Sequence, residues 1–241
     1  MSNSKKDSFW ISYADLMTLL MVVFLLISVS FMALVEDEKE KEETIVSKYQ
    51  TTKEELFKDL SKTFKNDLKH WDIELNKNLS IQFSNPDVLF PSGDTKLTIR
   101  FRIILAEFFP KYLKIITDKK YKDVISEVRI EGHTDDVMLI NGWTGDPYID
   151  NIELSQDRAR NVLAFLRSLP AYKKLHPKDE LRMKFWLTAN GLSYGRMLDK
   201  NKEFAIKSDN NNVDKEKSRR VEFKILTRSD ELVEEIIKQF D

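Results

Sequence analysis

An acidic residue stands at the start of the longest apolar run in the chain. Asp15 directly precedes Leu16–Val35, a run of twenty residues with only three polar members. As a helix this run would be about 30 Å long, which matches the hydrocarbon core of a bilayer. A carboxylate at such a boundary can take up and release a proton, because leaving water penalises its charged form. The alternative is structural, since Ser12 and Asp15 have the spacing of a helix-capping box. The residues alone leave both roles open.

The residues on either side of the apolar run predict its orientation. Lys5 and Lys6 precede it, whereas Glu36–Glu43 contains six acidic and two basic residues, a net charge of −4. Because positive flanks stay in the cytoplasm, we expect residues 1–10 to be a cytoplasmic tail. Residues 11–35 would then be a transmembrane helix, and the rest of the chain would be periplasmic. The run is too long for a signal peptide and no small-residue cleavage site follows it, so an uncleaved anchor in a bacterial inner membrane is predicted.

Composition excludes several classes of function. The 241 residues include 39 Lys and Arg against 40 Asp and Glu, a net charge of −1, which argues against direct nucleic-acid binding. The absence of cysteine excludes disulfides, Cys-ligated zinc and thiol catalysis. His70, His133 and His176 are far apart in sequence. We therefore expect no metal site, and since no nucleophile–base motif or phosphate-binding loop is evident, we expect neither a cofactor nor an enzyme.

The remainder of the chain predicts a helical linker and one α+β domain. In the proposed linker, residues 36–71, an acidic run is followed by an apolar stripe from Phe57 to Trp71 at helical spacing, which we expect to pack on the domain. Residues 72–228 should form a mixed sheet with helices on one face, and 229–241 a terminal helix. The predicted elements are a hairpin within 71–83, a helix over 97–116 interrupted or bent by Pro110, a strand at 124–131, a helix at 155–169, and strands at 183–187 and 221–225.

Three spaced motifs carry a resemblance to a known family of domains. Gly132–Asp136 reads GHTDD, Asn151–Ala159 fits N-x-x-L-S-x-x-R-A, and Ser218–Phe223 reads SRRVEF. Together they resemble the OmpA-like peptidoglycan-binding domain. The resemblance implies that Asp135 and Arg158 hold the diaminopimelate of the stem peptide. The other residues that it places in the peptidoglycan site are Thr134, Asn151 and Arg219.

The chemistry of these two side chains is consistent with that role. The free end of diaminopimelate carries an ammonium and a carboxylate, which an acid and a guanidinium can each pair. We expect Asp135 just past a strand end and Arg158 in the first turn of a helix, so that both reach one cleft. The alternative is a surface ion pair between them, worth about 0–1 kcal/mol. The loop over 137–150 looks like an insertion of unassigned role.

The apolar run carries the second resemblance. Phe9–Ser28, FWISYADLMTLLMVVFLLIS, is similar to the membrane helix of the MotB family of ion-driven stator subunits, and most of all to the ZorB subunits of Zorya anti-phage systems. The resemblance implies that Asp15 takes up and releases the permeating ion, H⁺ or Na⁺. Thr18, one turn further on, could offer its hydroxyl to Asp15 or to a partner. Alternatively, it could bond back to the Ala14 carbonyl.

The same resemblance implies the partners. A single helix cannot enclose a pore, so the chain would form a homodimer inside a ring of multi-span MotA/ZorA-like subunits, with peptidoglycan as its anchor. The short N-terminal tail and the acidic segment without proline favour the Zorya class. Two alternatives stay open. The chain could be a flagellar MotB-like stator subunit, or a purely structural tether between membrane and cell wall.

Overall fold

The computed structural model describes residues 4–139, 142, 144–207 and 212–228. The chain divides into two compact units, Met1–Lys48 and Tyr49–Asp241. Helix α1 (Ser4–Phe64) begins in the first unit, where it contains Leu16–Glu36, with a mean hydropathy of 2.7. This is the one stretch in the described part of the chain that is long and apolar enough to cross a membrane. The predicted N-terminal apolar helix is confirmed.

The end of α1 and the short helix α2 (Asp67–Trp71) belong to the core of the second unit. Leu56, Leu60 and Phe64 are completely buried, and the Phe64 ring lies 5.1 Å from that of Phe108. The apolar stripe therefore packs on the domain as expected from its helical spacing. The core includes residues upstream of 72, where the sequence suggested that the domain begins.

Five strands form one mixed sheet in the order β1-β2-β7-β3-β4. Strands β3 and β4 are parallel, and the other neighbours are antiparallel. Strands β5 and β6 form a separate antiparallel pair. The strand bounds are β1 Ile73–Leu75, β2 Ser80–Phe83, β3 Ile125–Gly132, β4 Leu187–Gly191, β5 Leu198–Asp199, β6 Val213–Asp214 and β7 Val221–Thr227.

The helices cover the apolar face of this sheet. Ile81, Phe223 and Ile130 lie in register across β2, β7 and β3. Phe108 of helix α4 (Ile99–Ile116) packs on Phe223, with ring centroids 5.1 Å apart. The next position along each strand is polar and faces the other side. The predicted α+β class with helices on one face is confirmed. The remaining helices are α3 Pro86–Leu89, α4 Ile99–Ile116, α5 Pro147–Ser168, α6 Pro170–Lys173, α7 Pro177–Trp186 and α8 Lys215–Ser218.

The helix predicted over 97–116 is confirmed, but its expected interruption at Pro110 is not observed, and the strand predicted at 183–187 is wrong. Helix α4 continues through Pro110 without interruption, because the Phe and Tyr side chains on both sides of the proline are buried and hold the helix on the sheet. The segment 183–187 was predicted as a strand, but Met183 and Trp186 are buried at helical spacing in α7, and the strand begins at Leu187. Short apolar runs fit both periods, so tertiary packing decides between them.

Helix α5 begins eight residues before the predicted position. Asp146 caps it by accepting a hydrogen bond from the Tyr148 amide at 2.8 Å, and Pro147 occupies its first turn. The end of the supposed insertion loop is therefore helical. Arg158 lies three turns into the helix, so the prediction that it lies in the first turn is wrong. The predicted terminal helix at 229–241 lies outside the described residues.

Leu60→Ala tests whether the end of α1 is part of the core. We expect it to lower the free energy of unfolding by about 2–5 kcal/mol, because it leaves a cavity at a fully buried position. Leu181→Ala is the matched control on α7, where the side chain is 70% exposed, and should change the value by less than about 0.5 kcal/mol. Denaturant unfolding of the full chain in detergent, followed by tryptophan fluorescence, measures both. Equal effects would contradict this packing.

Candidate functional site: a charged cleft at the end of β3

The five residues that the motifs predict for peptidoglycan binding all line one cleft. Its volume is about 650 Å³. The cleft lies between the segment after β3, the N-terminal half of α5, the loop after α3 and the segment before β7. The predicted residues in its wall are Thr134, Asp135, Asn151, Arg158 and Arg219.

Two glycines bring the walls of the cleft together. A Cβ atom at Gly132, the last residue of β3, would lie 2.2 Å from the carbonyl oxygen of Ser155 on α5. At Gly191, the end of β4, it would lie 2.4 Å from the Gln156 amide nitrogen. Only glycine permits this approach of backbone to backbone. As a result, Asp135, three residues beyond β3, faces the same cleft as Arg158 on α5.

Asp135 is a buried carboxylate with two partners. The residue is 5% exposed. Its Oδ1 accepts a hydrogen bond from the Val137 amide at 3.2 Å, and its Oδ2 accepts one from Arg219 Nη1 at 2.7 Å. The alternative considered from the sequence was a surface pair with Arg158. In the described structure the ion pair is with Arg219, and the carboxylate is buried.

Arg158 is held against the opposite wall. Its Nε donates to the carbonyl oxygen of Asp94 at 2.9 Å, and its guanidinium carbon lies 4.9 Å from the centre of the Phe90 ring. Burial lowers the pKa of Arg158 to about 10, with Asp135 opposing the shift and Arg219 adding to it. The guanidinium therefore stays charged at neutral pH, in a site where burial and a second cation both disfavour its charge.

Thr134 and Asn151 are bonded to the frame of the cleft. The Thr134 amide donates to the Ser193 carbonyl oxygen at 3.0 Å. Asn151 Nδ2 donates to the carbonyl oxygens of Pro147 and Val137 at 3.0 and 3.3 Å. Since Val137 also binds Asp135, Asn151 holds the loop that positions the carboxylate.

The sequence did not identify Phe90 and Asp94. They come from the loop after α3, where Gly93 has a positive φ of 68°. The Pro-Ser-Gly signal marks a turn there. Nothing in the sequence indicates that this turn contacts Arg158, which lies 64 residues further along the chain.

A second buried cluster lies beside the cleft, at Glu131, His133 and Glu222. Their ligand-type atoms lie within 4.8 Å of one another, so the residue types could hold a metal ion. Both carboxylates already have cationic neighbours, because Arg220 Nε lies 3.4 Å from Glu222 and Arg196 Nη1 lies 3.7 Å from Glu131. Burial lowers the pKa of His133 to about 4, with Arg220 adding to the shift, so the imidazole is neutral. Two carboxylates facing two guanidinium groups need no further cation, so the absence of a metal stays our prediction.

Asp15 and Thr18 lie in α1, in the first unit of the chain. The Thr18 hydroxyl donates to the Ala14 carbonyl oxygen at 3.0 Å, which is the structural alternative considered from the sequence. The side chain of Asp15 lies outside the described part of the structure. Its role as ion carrier stays a prediction.

Comparisons with known proteins decide the family. Residues 2–44 match the family described as membrane MotB of the proton-channel complex MotA/MotB. Over 98% of its length the chain is 34% identical to the Zorya protein ZorB of Escherichia coli strain Crooks, covering 96% of that protein. The chain belongs to the ZorB family. A second ZorB, from Escherichia coli strain E24377A, is 26% identical over 93% of this chain and 82% of its own length.

Solved structures similar to this ZorB-family chain include a MotB-like protein from Desulfovibrio vulgaris. That structure is 23% identical, with a TM-score of 0.47, and the match covers 78% of this chain and 99% of the other. The 34% identity to ZorB over nearly the whole chain confirms the family resemblance inferred from the sequence.

Gly132→Ala tests the close approach that builds the cleft. We expect the free energy of unfolding to fall by about 1–3 kcal/mol, because the new methyl group meets backbone that cannot move away. Gly195→Ala is the control, since its nearest contact would be 3.3 Å, to the Tyr148 side-chain hydroxyl and not to backbone. Chemical unfolding of the full chain in detergent measures both. A Gly132→Ala protein as stable as the control would contradict the packing described for β3 and α5.

Proposed function

We propose that this ZorB-family protein is the peptidoglycan-anchored stator subunit of an ion-driven membrane motor of the MotA/MotB type, acting in anti-phage defence. The observation that carries the anchoring role is the cleft in which a buried carboxylate and a buried guanidinium face one ligand-sized space. The match to ZorB over nearly the whole chain supports the stator role.

The cleft suits the free end of diaminopimelate. Asp135 would accept hydrogen bonds from the ligand ammonium, and Arg158 would donate to its carboxylate. Charge-assisted hydrogen bonds are shorter and stronger than neutral ones. Both protein groups are largely out of water, at 5% and 8% exposure, so their partners are weakly screened. Asp135 is already paired with Arg219, whereas Arg158 has no ion pair among the described residues, so a ligand without a carboxylate would leave the buried guanidinium unpaired.

Within the second unit, helix and core contacts would carry force from this cleft to the end of α1. Leu56, Leu60 and Phe64 at the end of α1 are completely buried in the same core as the sheet that carries the cleft. Lys120 and Tyr121 add polar contacts to Glu55 and Asp59 of α1. The end of α1 is thereby fixed to the domain that would bind the wall.

Asp15 would serve the ion path at the membrane. Protonation turns a charged group that needs water or a donor into a neutral one that tolerates an apolar wall, and a partner ring can respond to that change. Because one helix cannot enclose a path, two copies inside a ring of multi-span MotA/ZorA-like subunits would supply the remaining surface. The N-terminus would be cytoplasmic and the domain periplasmic, with H⁺ or Na⁺ as the permeating ion.

Asp135→Ala and Arg158→Ala test the anchoring role. Each should weaken sedimentation of the full chain with purified diaminopimelate-type peptidoglycan about tenfold or more, because each leaves one ligand charge unpaired. The matched controls are Asp136→Ala, whose side chain pairs with Lys215 and is 43% exposed, and Arg160→Ala on the same helix as Arg158, 65% exposed. Both controls should bind like the unaltered chain. Sedimentation unchanged in both cleft variants would refute peptidoglycan binding at this cleft.

Asp15→Asn tests the stator role against a simple tether. The amide has nearly the same shape but cannot cycle a proton, so we expect loss of phage protection while membrane insertion and co-purification with the multi-span partner persist. Asp7→Asn, outside the apolar run, is the control and should stay protective. If an Asp15→Asn protein that assembles normally protected fully, the carboxylate would be a helix cap and the chain a structural tether.

A further inference from the structure

A second pocket lies on the polar face of the sheet, on the side opposite the helices. Its volume is about 290 Å³, close to the lower limit of about 300 Å³ that is typical of small-molecule sites. Its lining includes Gln82, Glu222 and Glu131, which lie in register across β2, β7 and β3. The other lining residues include the turn between β1 and β2 and part of the segment 198–204. A space of this size fits one small ring.

The charges around this pocket are nearly balanced. Its lining includes four glutamates and five lysines or arginines, a net charge of +1 with His133 neutral. Three of the glutamates have ion-pair partners within the lining, namely Glu74 with Lys202, Glu131 with Arg196 and Glu222 with Arg220. An ionic ligand would meet charges of both signs. A neutral ligand with several hydroxyl groups can bond to both without disturbing these pairs.

His133 is the side chain in the pocket wall that points to a ligand. The residue is 2% exposed, and neither ring nitrogen has a hydrogen-bond partner among the described residues. Its Nε2 lies 3.5 and 3.7 Å from carboxylate oxygens of Glu131 and Glu222, too far for a good hydrogen bond. The neutral ring offers one donor and one acceptor. Because a buried polar group without a partner is costly, a ligand hydroxyl beside these three side chains would be stabilised.

An aromatic side chain completes the lining. Phe204 lines the pocket and is 43% exposed, so its ring is accessible to a ligand. An aromatic surface beside a few well-placed polar groups is the usual composition of a small-molecule site. A sugar ring has hydroxyl groups at its edge and apolar C–H groups on its faces. It can therefore stack on Phe204 while its hydroxyl groups bond to the polar lining.

We propose that this pocket binds a neutral saccharide, with one sugar ring stacked on Phe204 and hydrogen-bonded to His133, Glu131 and Glu222. The site is separate from the charged cleft, although His133 and Arg220 line both and the two are therefore adjacent. Two sources share the required chemistry, a neutral ring with several hydroxyl groups. They are the N-acetylated amino sugars of a glycan strand and the glucose units of other polysaccharides. The proposal does not depend on the anchoring role of the cleft.

Two disaccharides test the pocket and distinguish the sources. The full chain is titrated with N,N′-diacetylchitobiose and with maltose in an amine-oxide detergent, which carries no sugar, and saturation-transfer NMR reports binding. We expect saturable binding of at least one disaccharide. Binding of diacetylchitobiose alone would assign the pocket to N-acetylated sugars, and binding of maltose would extend it to glucose units. If neither binds, the pocket holds only water and the proposal is overturned.

Two variants of the pocket lining and a matched control test the contacts. Phe204→Ala should weaken disaccharide binding about tenfold, because the stacking surface is lost. Phe185→Ala removes a phenylalanine that is 78% exposed on α7, outside the pocket, and should bind like the unaltered chain. His133→Leu has no side-chain hydrogen bond to lose, so the chain should still fold while binding is lost. Equal binding by Phe204→Ala and Phe185→Ala would refute the site.

Asp135→Ala separates this pocket from the charged cleft. Asp135 does not line the pocket, so the variant should bind the disaccharide like the unaltered chain. If Asp135→Ala abolished disaccharide binding, the sugar would bind in the charged cleft, and the second site would be overturned. If both cleft variants still sedimented with peptidoglycan while Phe204→Ala lost the disaccharide, anchoring at the cleft would fail and the saccharide site would stand.

Discussion

The approach of helix α5 to the ends of β3 and β4 is the constraint on which the cleft depends. At Gly132 and Gly191 the helix backbone is so near that a methyl group would overlap it, at 2.2 and 2.4 Å. Interiors are packed too densely to absorb such an overlap without shifting whole elements. Because glycine at these two positions avoids such a displacement, Asp135 after the strand and Arg158 on the helix face the same cleft. Their separation is thus set by backbone contact and not by the reach of long side chains.

Side chains alternate between the two faces of the sheet, and this alternation separates the buried carboxylates into two sites. Along β3 and β7, Ile130 and Phe223 face the helices, while Glu131 and Glu222 face the opposite side in register with each other. Like charges directly opposite destabilise a sheet. Here Arg220 and Arg196 lie beside the two carboxylates. Arg219, one residue before Arg220, points instead to Asp135. Two consecutive arginines therefore pair with two different carboxylate sites, although both line the cleft.

Much of the fold could be predicted from local patterns. The strands at 124–131 and 221–225, the amphipathic stripe after residue 57 and the mixed α+β class all appear in the structure, because alternation and helical spacing persist there over long enough segments. The errors fall where local signals compete. Pro110 disfavours a helix, yet buried aromatic neighbours outweigh it. Asp146 and Pro147 form an ordinary N-terminal cap of α5, but both had been predicted to lie in an insertion loop. The segment at 183–187 is a short apolar run, too short for its periodicity to distinguish a strand from a helix.

The sequence by itself determined the apolar span, the acid at its edge and the spaced motifs that name the family, since all of these are properties of neighbouring residues. The resemblance of its spaced motifs to the OmpA-like domain also placed five cleft residues in one group. Only the tertiary structure determined which charged side chains form ion pairs with each other. Arg219, 84 residues from Asp135, is its ion partner, and the wall that fixes Arg158 comes from Phe90 and Asp94. Pairings of this kind depend on how strands and helices from distant parts of the chain pack together, and no local pattern of residue types encodes the distance between two side chains on different elements.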